Sequence, residues 1–356
     1  MQTINRQWIL AERPKGTLST DNFALAETSI PEPNYAAGEV LVKNLYIAFD
    51  AAMRGWMSPK PSYMPPVEIG EPMRSFNVAQ VVQSQNQDLP IGTLVQGMYG
   101  WQEYAVASPT DTVPYRKLST HITPEMALGV LGGSSMTAYW GLLDVGQPKE
   151  GETVVVSGAA GATGSVVAQI AKIKGCRVIG IAGGEEKCQW LLNECGLDGA
   201  IDYKNESVDD RLKALCPEGI DVFFDNVGGS ILEAAINSIA NYGRIVLCGA
   251  ISISNSKTPR TGTGPGNLVN LVIRRVRMQG FITLDYYDRT EEALEKLAVW
   301  ALADKLAFRN DIQEGFNAIP ETFMRLFEGK NQGKQLLRLD QAEATEKLVS
   351  QLELTA

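Results

Sequence analysis

Glycines at positions 158, 161 and 164 lie between an apolar run and a segment with helical spacing. A glycine at 161 lets the backbone approach a diphosphate without a Cβ in the way, and a glycine at 164 lets the following helix pack tightly on a sheet. The N–H groups at the start of that helix have no acceptor within it, so they would face the phosphates. The predicted diphosphate site comprises Gly161, Ala162, Thr163 and Gly164.

Ala159 stands where the commonest dinucleotide fingerprint has its first glycine, so the pattern is AxGxxG. Alone, such a pattern is also typical of a tight turn that binds no ligand. Here it follows the run TVVVS and precedes apolar residues at helical spacing, as expected for the start of a strand-helix-strand unit. This context favours a bound dinucleotide.

The residues after the next apolar run, RVIGIA, bear on which dinucleotide is bound. They are Gly183, Gly184, Glu185, Glu186 and Lys187. An acid at this place would bind the ribose hydroxyls of NAD. The two glycines instead leave room for a 2′-phosphate, which the lysine would neutralise. We expect NADPH, with one of the two glutamates as an NAD-type acid being the alternative.

The near absence of histidine excludes several other chemistries. His121 is the only histidine, whereas a hydrolase triad or a two-histidine zinc helix needs imidazoles in defined places. The sequence contains no HExxH, no GxSxG and no clustered cysteines, so we expect no metal site. A bound cofactor must therefore carry the chemistry.

Composition limits the class of protein. The 356 residues are 44% hydrophobic and 21% charged, which is typical of a globular protein with one large core or two, and we favour two. The net charge of -9 argues against nucleic acid or an anionic membrane as a partner. No signal-like or membrane-spanning stretch is evident, and the five cysteines form no CxxC pair. We expect a cytoplasmic protein with reduced thiols.

Two patterns of elements alternate along the chain. Residues 1–124 contain short apolar runs separated by Pro, Gly and Asn, which predicts a β-rich unit. In residues 125–303, strands alternate with helices, which predicts an α/β fold with a doubly wound parallel sheet. We expect residues 304–340 to rejoin the first unit and 341–356 to form a short amphipathic helix or a frayed tail. The six predicted strands of the inserted domain are TVVVS, RVIGIA, AIDY, DVFFDN, RIVLCG and RMQGFIT.

Six motifs occur in order along the chain: the AxGxxG loop, GxEK at 184–187, DNVGG at 225–229, CGAIS at 248–252, MQGFI at 278–282 and the late GKNQGK. With them the chain resembles the medium-chain dehydrogenase/reductase superfamily. More narrowly, it resembles the zinc-free leukotriene B4 dehydrogenases, prostaglandin reductases, plant double-bond reductases and bacterial curcumin reductases. The resemblance implies a Rossmann domain inserted in a GroES-like catalytic domain. It also implies NADPH-dependent reduction of the carbon–carbon double bond of α,β-unsaturated ketones and aldehydes.

The resemblance assigns roles to residues at matching positions. Lys187 and Tyr203 would hold the 2′-phosphate end of the cofactor, and Asn331 would reach the nicotinamide half from the other domain. Three loops would pass along the nicotinamide half, through Asn226, Cys248, Gly249, Ala250, Ile251, Ser252, Phe281, Ile282 and Thr283.

Two tyrosines that are common in relatives are replaced here by Ala52 and Ser254. Tyr286 and Tyr287 remain as candidate catalytic residues, with Tyr287 preferred, although both could instead pack at the domain interface. In the proposed reaction, hydride from nicotinamide C4 reaches the β-carbon of an enone. A tyrosine hydroxyl or the ribose 2′-hydroxyl of the cofactor would stabilise the enolate, and water would protonate the α-carbon.

The substrate pocket is expected near the loop SPKPSYMPP, residues 58–66. Trp56 and Tyr63 would line its mouth or pack beneath the loop, and Asp50 and Arg54 would form a buried pair on its floor.

Two alternative functions remain open at this point: a quinone reductase with the same fold and cofactor, and a non-catalytic NADPH-binding or redox-sensing protein. We also expect a homodimer that extends the central sheet through the segment RRVRMQGFIT.

Overall fold

The computed structural model describes residues 4–254 and 264–339, without the side chains of residues 253 and 254. The predicted tail 341–356 therefore lies outside the described residues. The strands are β1 (Ile4–Leu10), β2 (Phe23–Ser29), β3 (Val40–Ala48), β4 (Asn77–Gln83), β5 (Leu94–Gly97), β6 (Tyr104–Ala107), β7 (Arg116–Lys117), β8 (Thr153–Ser157), β9 (Arg177–Ala182), β10 (Gly199–Asp202), β11 (Ile220–Asp225), β12 (Ile239–Leu247), β13 (Arg277–Gly280), β14 (Asn310–Glu314) and β15 (Lys334–Arg338).

Helices join most of the later strands. They are α1 (Met53–Trp56), α2 (Pro124–Leu128), α3 (Gly133–Trp140), α4 (Ala162–Ile173), α5 (Glu185–Asn193), α6 (Val208–Leu215), α7 (Gly229–Ser238), α8 (Ile251–Ser254), α9 (Val269–Arg274), α10 (Thr290–Leu302) and α11 (Ile319–Glu328). The helix α3 continues into a π-helical segment, Gly141–Gly146, and Thr283–Arg289 forms a 3₁₀ helix. In the described ranges no helix has the length and apolarity that crossing a bilayer requires.

The six-stranded sheet is parallel and has the order β10-β9-β8-β11-β12-β13. Apolar clusters cover both faces, one built with α3, α4 and α10 and the other with α6 and α7. Strands buried on both sides explain the continuous apolar runs in the sequence. The doubly wound, six-stranded domain is therefore confirmed. The order in which successive strands are added reverses between β8 and β11, and at such a point the carboxyl ends of parallel strands leave a crevice for ligands.

The second sheet joins the two ends of the described chain. β15 pairs antiparallel with β3, and β14 pairs parallel with β15, so the late segment adds its strands to a sheet begun before residue 50. An aromatic cluster of Phe23, Phe49, Trp101 and Phe323 fills the core beneath. The cleft between the two sheets is therefore bounded on one side by early and late segments together.

The predicted strand RMQGFIT is shorter in the structure, because β13 ends at Gly280. Its partner β12 ends at Leu247, which is the residue opposite Gly280, so no further backbone pairing is available. The chain then turns into the 3₁₀ helix Thr283–Arg289, which contains both candidate tyrosines.

Candidate active site

The glycine-rich turn connects β8 directly to α4. Gly161 is the N-cap residue of α4, and no side chain caps the helix. A Cβ on Gly164 would lie 2.3 Å from the carbonyl oxygen of Gly158, and one on Gly161 would lie 3.2 Å from the same atom. The turn therefore has no room for a side chain at 164 and is tight at 161, and the N–H groups of the first turn of α4 remain available for an anion.

Ala159 fits the first fingerprint position because of a glycine on the neighbouring strand. Its side chain is fully buried, and a Cβ on Gly180 of β9 would lie only 2.9 Å from the Cβ of Ala159. The methyl group thus occupies space that the absent Gly180 side chain leaves free. The departure from GxGxxG is accommodated in the core and leaves the turn intact.

The end of β9 provides an open surface for the adenosine half of a dinucleotide. A Cβ on Gly183 would lie 2.8 Å from the ring of Tyr203, whereas Gly184 has a φ of 102° and open space around it. Asp202 accepts hydrogen bonds from the backbone N–H groups of Gly184 and Lys204, and the first of these lowers its pKa most. Its carboxylate is therefore committed to holding the turn.

Lys187 lies where α5 meets the segment after α11. Its Nζ donates to the carbonyl oxygen of Gly329 at 2.9 Å. Burial lowers the pKa of this lysine, and repulsion from Lys204 lowers it further. An ammonium group has three donors, so two remain for a phosphate. Glu186, one of the alternative NAD-type acids, accepts a hydrogen bond from Gln332 at 2.9 Å.

Residues 248–252 contact the end of β11, as the predicted nicotinamide site requires. The N–H groups of Cys248 and Gly249 donate to the carbonyl oxygen of Asp225, and that of Ser252 donates to Val227. Asn226 donates through Nδ2 to the carbonyl oxygen of Ser157 at 2.7 Å. The structure thus brings Asn226 and the 248–252 loop together beside the glycine turn.

A cavity of about 810 Å³ opens at the carboxyl ends of β11, β12 and β13. Predicted cofactor residues that line it are Cys248, Gly249, Ala250, Phe281 and Ile282. Its volume is within the range of about 300–1,000 Å³ that is usual for ligand pockets. Burial raises the pKa of the Cys248 thiol to about 12, so at neutral pH this thiol is uncharged.

Asp225 is a buried wall residue of this cavity that the sequence analysis did not assign. One of its oxygens accepts hydrogen bonds from the Ser157 hydroxyl at 2.7 Å and from the N–H groups of Val227 and Gly228. Burial raises its pKa, while these hydrogen bonds act in the opposite direction. Its position directly before Asn226 in DNVGG was the available signal.

The hydroxyl groups of both candidate tyrosines have partners. Tyr286 donates to Asp144 at 2.7 Å, and its ring stacks on Trp140 with the ring centroids 4.9 Å apart. Tyr287 donates to the carbonyl oxygen of Pro114 at 3.1 Å, at an exposed position. Burial raises the pKa of both phenols, that of Tyr286 to about 12 with a further contribution from Asp144.

The predicted pair between Asp50 and Arg54 is wrong. Arg54 donates to the carbonyl oxygen of Gly16 at 2.9 Å, and Asp50 instead forms an ion pair of 2.5 Å with Lys334. Residues 51–57 form tight turns and the short helix α1, and there the arginine side chain extends toward residues 14–16 and away from the carboxylate. Its desolvation lowers its pKa.

The two aromatic residues predicted at the substrate mouth contact each other. Trp56 donates through Nε1 to the Tyr63 hydroxyl at 2.8 Å. Trp56 is buried in the aromatic core, whereas Tyr63 is exposed. The loop 58–66 has no regular structure, as its prolines predicted.

The segment after α11 reaches the glycine turn from the other sheet. Gly333 forms a parallel bridge with Gly161, and Asn331 donates through Nδ2 to the carbonyl oxygen of Gly333 at 2.9 Å. Asn331 is thus near the predicted diphosphate site, with its amide group bonded to its own segment. This contact closes the crevice between the two sheets at one end.

Comparison with known proteins agrees with this geometry. Residues 6–114 match the family model described as the N-terminal domain of oxidoreductase, and residues 162–299 match the model described as zinc-binding dehydrogenase. The NADPH-dependent curcumin reductase of Escherichia coli (strain K12) is 41% identical over 339 residues, which are 94% of this chain and 97% of that protein. This chain belongs to the zinc-free branch of the medium-chain dehydrogenase/reductase superfamily.

Two further members of the superfamily extend the comparison. The 2-alkenal reductase (NADP(+)-dependent) of Nicotiana tabacum is 36% identical over 338 residues, which are 94% of this chain and 96% of that protein. A crystal structure of CurA from Vibrio vulnificus in complex with NADPH has 42% identity and a TM-score of 0.87, and the match covers 94% and 99% of the two chains. In the described part of this chain, no three His, Cys, Asp or Glu side chains are grouped so that they could hold a metal ion.

Proposed function

We propose that this chain uses NADPH to reduce the carbon–carbon double bond of α,β-unsaturated ketones and aldehydes. The observation that carries the proposal is the uncapped start of α4 behind a turn that is too tight for a side chain at 164. The names of the curcumin and 2-alkenal reductases support the choice of cofactor and substrate class.

NADPH fits the described residues at each of its charged parts. Gly161 and the first turn of α4 would hold the diphosphate. The N–H of Gly161 donates to the carbonyl oxygen of Gly158, so Gly161 would allow the close approach of the phosphates while the N–H groups of the first turn would bind them. Lys187 and Tyr203 would hold the 2′-phosphate beside the open space at Gly184. The loops that contain Asn226 and residues 248–252 would hold the nicotinamide half at the cavity. The Cβ clashes at the turn are the physical reason for its glycines.

When bound, NADPH supplies a hydride to the substrate's β-carbon. The task of the protein is to orient the enone and to stabilise the negative charge that grows on its carbonyl oxygen. Tyr287 is the preferred donor, because among the described residues its hydroxyl donates to one exposed backbone carbonyl, which water can replace. Tyr286 is held by a carboxylate and by a stacked indole, so its hydroxyl is less free.

The function is tested by measuring NADPH oxidation with a panel of enones, enals and quinones, with NADH in parallel and with product analysis. We expect saturated ketones and aldehydes, and faster turnover with NADPH than with NADH. Turnover of quinones alone would indicate a quinone reductase. Tight binding of NADPH without turnover of any compound in the panel would indicate a binding or sensing protein.

The two tyrosines are distinguished by removing each hydroxyl. Tyr287→Phe is expected to lower kcat for an enone by about 10- to 100-fold, because a donor to the developing oxyanion is lost. Tyr286→Phe is expected to leave kcat within about threefold and to lower the free energy of unfolding by about 1 kcal/mol, the usual value of one hydrogen bond. Steady-state kinetics and chemical denaturation measure these effects.

The raised pKa of Tyr287 predicts how kcat depends on pH. The hydroxyl donates only while it is protonated, so raising its pKa keeps the donor intact at higher pH. The parent kcat should therefore not decline between pH 7 and about 9 on account of this group. Equal activity of Tyr287→Phe and parent would remove Tyr287 from the reaction.

We also propose that the protein is a homodimer that pairs through β13. This strand ends the described six-stranded sheet, and the adjacent α9 presents three exposed aliphatic side chains, Val269, Val272 and Ile273. An open strand edge beside an apolar helix face is a surface that a second copy would cover. Two-fold symmetry would let the same edge pair with itself.

Val272→Asp should convert the dimer to a monomer, as measured by light scattering of the purified protein. The side chain of Val272 is 76% exposed in the single chain, so the substitution does not disturb the core. Val299→Asp is the matched control, because Val299 is 60% exposed on the distant helix α10. A parent mass of 38.7 kDa, that of one chain, would contradict the dimer.

We further propose a cytoplasmic location. All five cysteines are free thiols, and four of them are buried, which suits a reducing compartment. Cell fractionation with an antibody to the chain tests this, and recovery with the membrane or external fraction would contradict it.

A further inference from the structure

Lys334, the first residue of β15, is a nearly buried lysine with only 5% of its surface exposed. Its Nζ donates to Asp50 at 2.5 Å, to the Ser134 hydroxyl at 3.1 Å and to the carbonyl oxygen of Phe49 at 3.3 Å. The Ser134 hydroxyl in turn donates to the same oxygen of Asp50 at 3.0 Å. A desolvated ammonium group is tolerated only with such partners.

The three partners of Lys334 come from separate parts of the chain. Phe49 and Asp50 directly follow β3, and Ser134 lies in the first turn of α3. The residue before Lys334 is Gly333, which bridges to Gly161 at the predicted diphosphate turn. Two adjacent residues, Gly333 and Lys334, therefore connect the end of the early strand, the helix α3 and the cofactor turn.

The hydrogen bonds of Lys334 indicate its role. An ammonium group has three donors, and all three are used within the protein. The single hydroxyl donor of Ser134 is used on Asp50. None of these donors is free for a substrate oxygen, so a direct electrophilic role for Lys334 is unsupported. Its contacts instead fix the distance between elements that lie on opposite sides of the cleft.

We propose that Lys334 is a positioning residue, which holds the β3 end and α3 in register with the cofactor turn so that hydride donor and substrate meet correctly. This inference rests on the proposed reductase function. The lysine acts through Asp50 and Ser134, and the second oxygen of Asp50 stays without a hydrogen bond to any described residue. That oxygen faces the exposed side of the cluster, since the Asp50 side chain is 28% exposed.

Lys334→Met keeps an unbranched side chain that is one atom shorter and removes the charge and the donors. We expect kcat for an enone to fall about 100-fold, the usual effect of a displacement of about 1 Å at a reacting centre. The dissociation constant for NADPH should change less than about threefold, because the diphosphate donors belong to α4. A purely structural role would lower the melting temperature without this separation of kcat from cofactor binding.

Ser134→Ala is the milder second variant. It keeps the ion pair of Lys334 and Asp50 and removes the hydroxyl that is hydrogen-bonded to both of them. It should lower kcat about tenfold, and its effect should be non-additive with that of Lys334→Met, because both act through one network. If Lys334→Met does not fold, Ser134→Ala decides the question: an unchanged kcat overturns the proposal.

Arg244→Met is the matched control. Arg244 lies in β12 and forms a largely buried ion pair with Glu152, the residue directly before β8. Loss of the Arg244 ion pair should lower the free energy of unfolding. It should leave kcat within about twofold, because Arg244 and Lys334 share no hydrogen-bond partner and distant sites act independently.

Amide hydrogen exchange of the protein without ligand gives a readout independent of activity. Peptides that span 46–54 and 131–137 should exchange faster in Lys334→Met than in the parent. Their exchange rates in Arg244→Met should equal those of the parent. The inference is overturned if the parent reduces enones and Lys334→Met has the exchange rates of the parent and a kcat within threefold of it. A parent that turns over no enone overturns the proposed function, whereas faster exchange would still support the connecting role of Lys334.

Discussion

Gly164→Ala is expected to raise the dissociation constant for NADPH at least 100-fold. The new Cβ would lie 2.3 Å from the carbonyl oxygen of Gly158 and 2.9 Å from the Cα of Ala159, and both are backbone atoms that cannot move alone. The turn must therefore shift away from α4, and the diphosphate loses donors. Two hydrogen bonds to a charged group are worth about 3 kcal/mol, which corresponds to about 100-fold in affinity. Isothermal titration calorimetry measures the change.

Gly55→Ala provides the control for this substitution. A Cβ on Gly55 would meet no atom within 4 Å, and the residue lies in α1, where alanine is favoured over glycine. Its affinity for NADPH should match that of the parent. Circular dichroism shows whether Gly164→Ala keeps its fold. A folded Gly164→Ala protein that binds NADPH within threefold of the parent would mean that the diphosphate lies elsewhere.

Lys187→Met is expected to weaken NADPH binding by about 10- to 100-fold while leaving NADH binding within about twofold. The substitution removes the ammonium group that would bind the doubly charged 2′-phosphate, and one charge-assisted hydrogen bond is worth about 1.5–3 kcal/mol. NADH has no 2′-phosphate, so it does not lose this contact. The ratio of kcat/KM for the two cofactors measures the effect.

Lys213→Met is the control for charge, because Lys213 is exposed and paired only with Asp209 on the surface of α6. Lys213→Met should change kcat/KM for neither NADPH nor NADH. The pH dependence adds a second test: burial and Lys204 lower the pKa of Lys187, so this ammonium loses its proton at a lower pH than an ordinary lysine. Affinity for NADPH should accordingly decline at alkaline pH earlier than affinity for NADH. An unchanged cofactor ratio in Lys187→Met would contradict the assignment.

The inserted sheet was predictable because its strands are continuous apolar runs bounded by glycine and helical segments. TVVVS and RVIGIA match β8 and β9 residue for residue. The strand RMQGFIT was predicted too long, since its propensity continues beyond Gly280 but its partner strand ends at Leu247. The domain boundaries at 124 and 303 stay predictions, as do the catalytic roles of the tyrosines.

The site was predictable where the local backbone alone defines it. The glycine turn depends on residues within seven positions of one another, and spacing reveals such an arrangement. The pair of Asp50 and Arg54 also looked local, but the actual partner of Asp50 is Lys334, 284 residues away. Local spacing suggested the wrong cation because the direction of the Arg54 side chain depends on packing against residues 14–16.

The sequence by itself determined the parallel sheet, the cofactor turn and the resemblance that names the reductase branch, because these depend on periodicity and on short motifs. Only the tertiary structure decided which charges meet in the cleft, where the tyrosine hydroxyls point and how Gly333 reaches Gly161. Such contacts join residues far apart in the chain. Their geometry follows from how two sheets dock, a property that no local pattern of residues encodes.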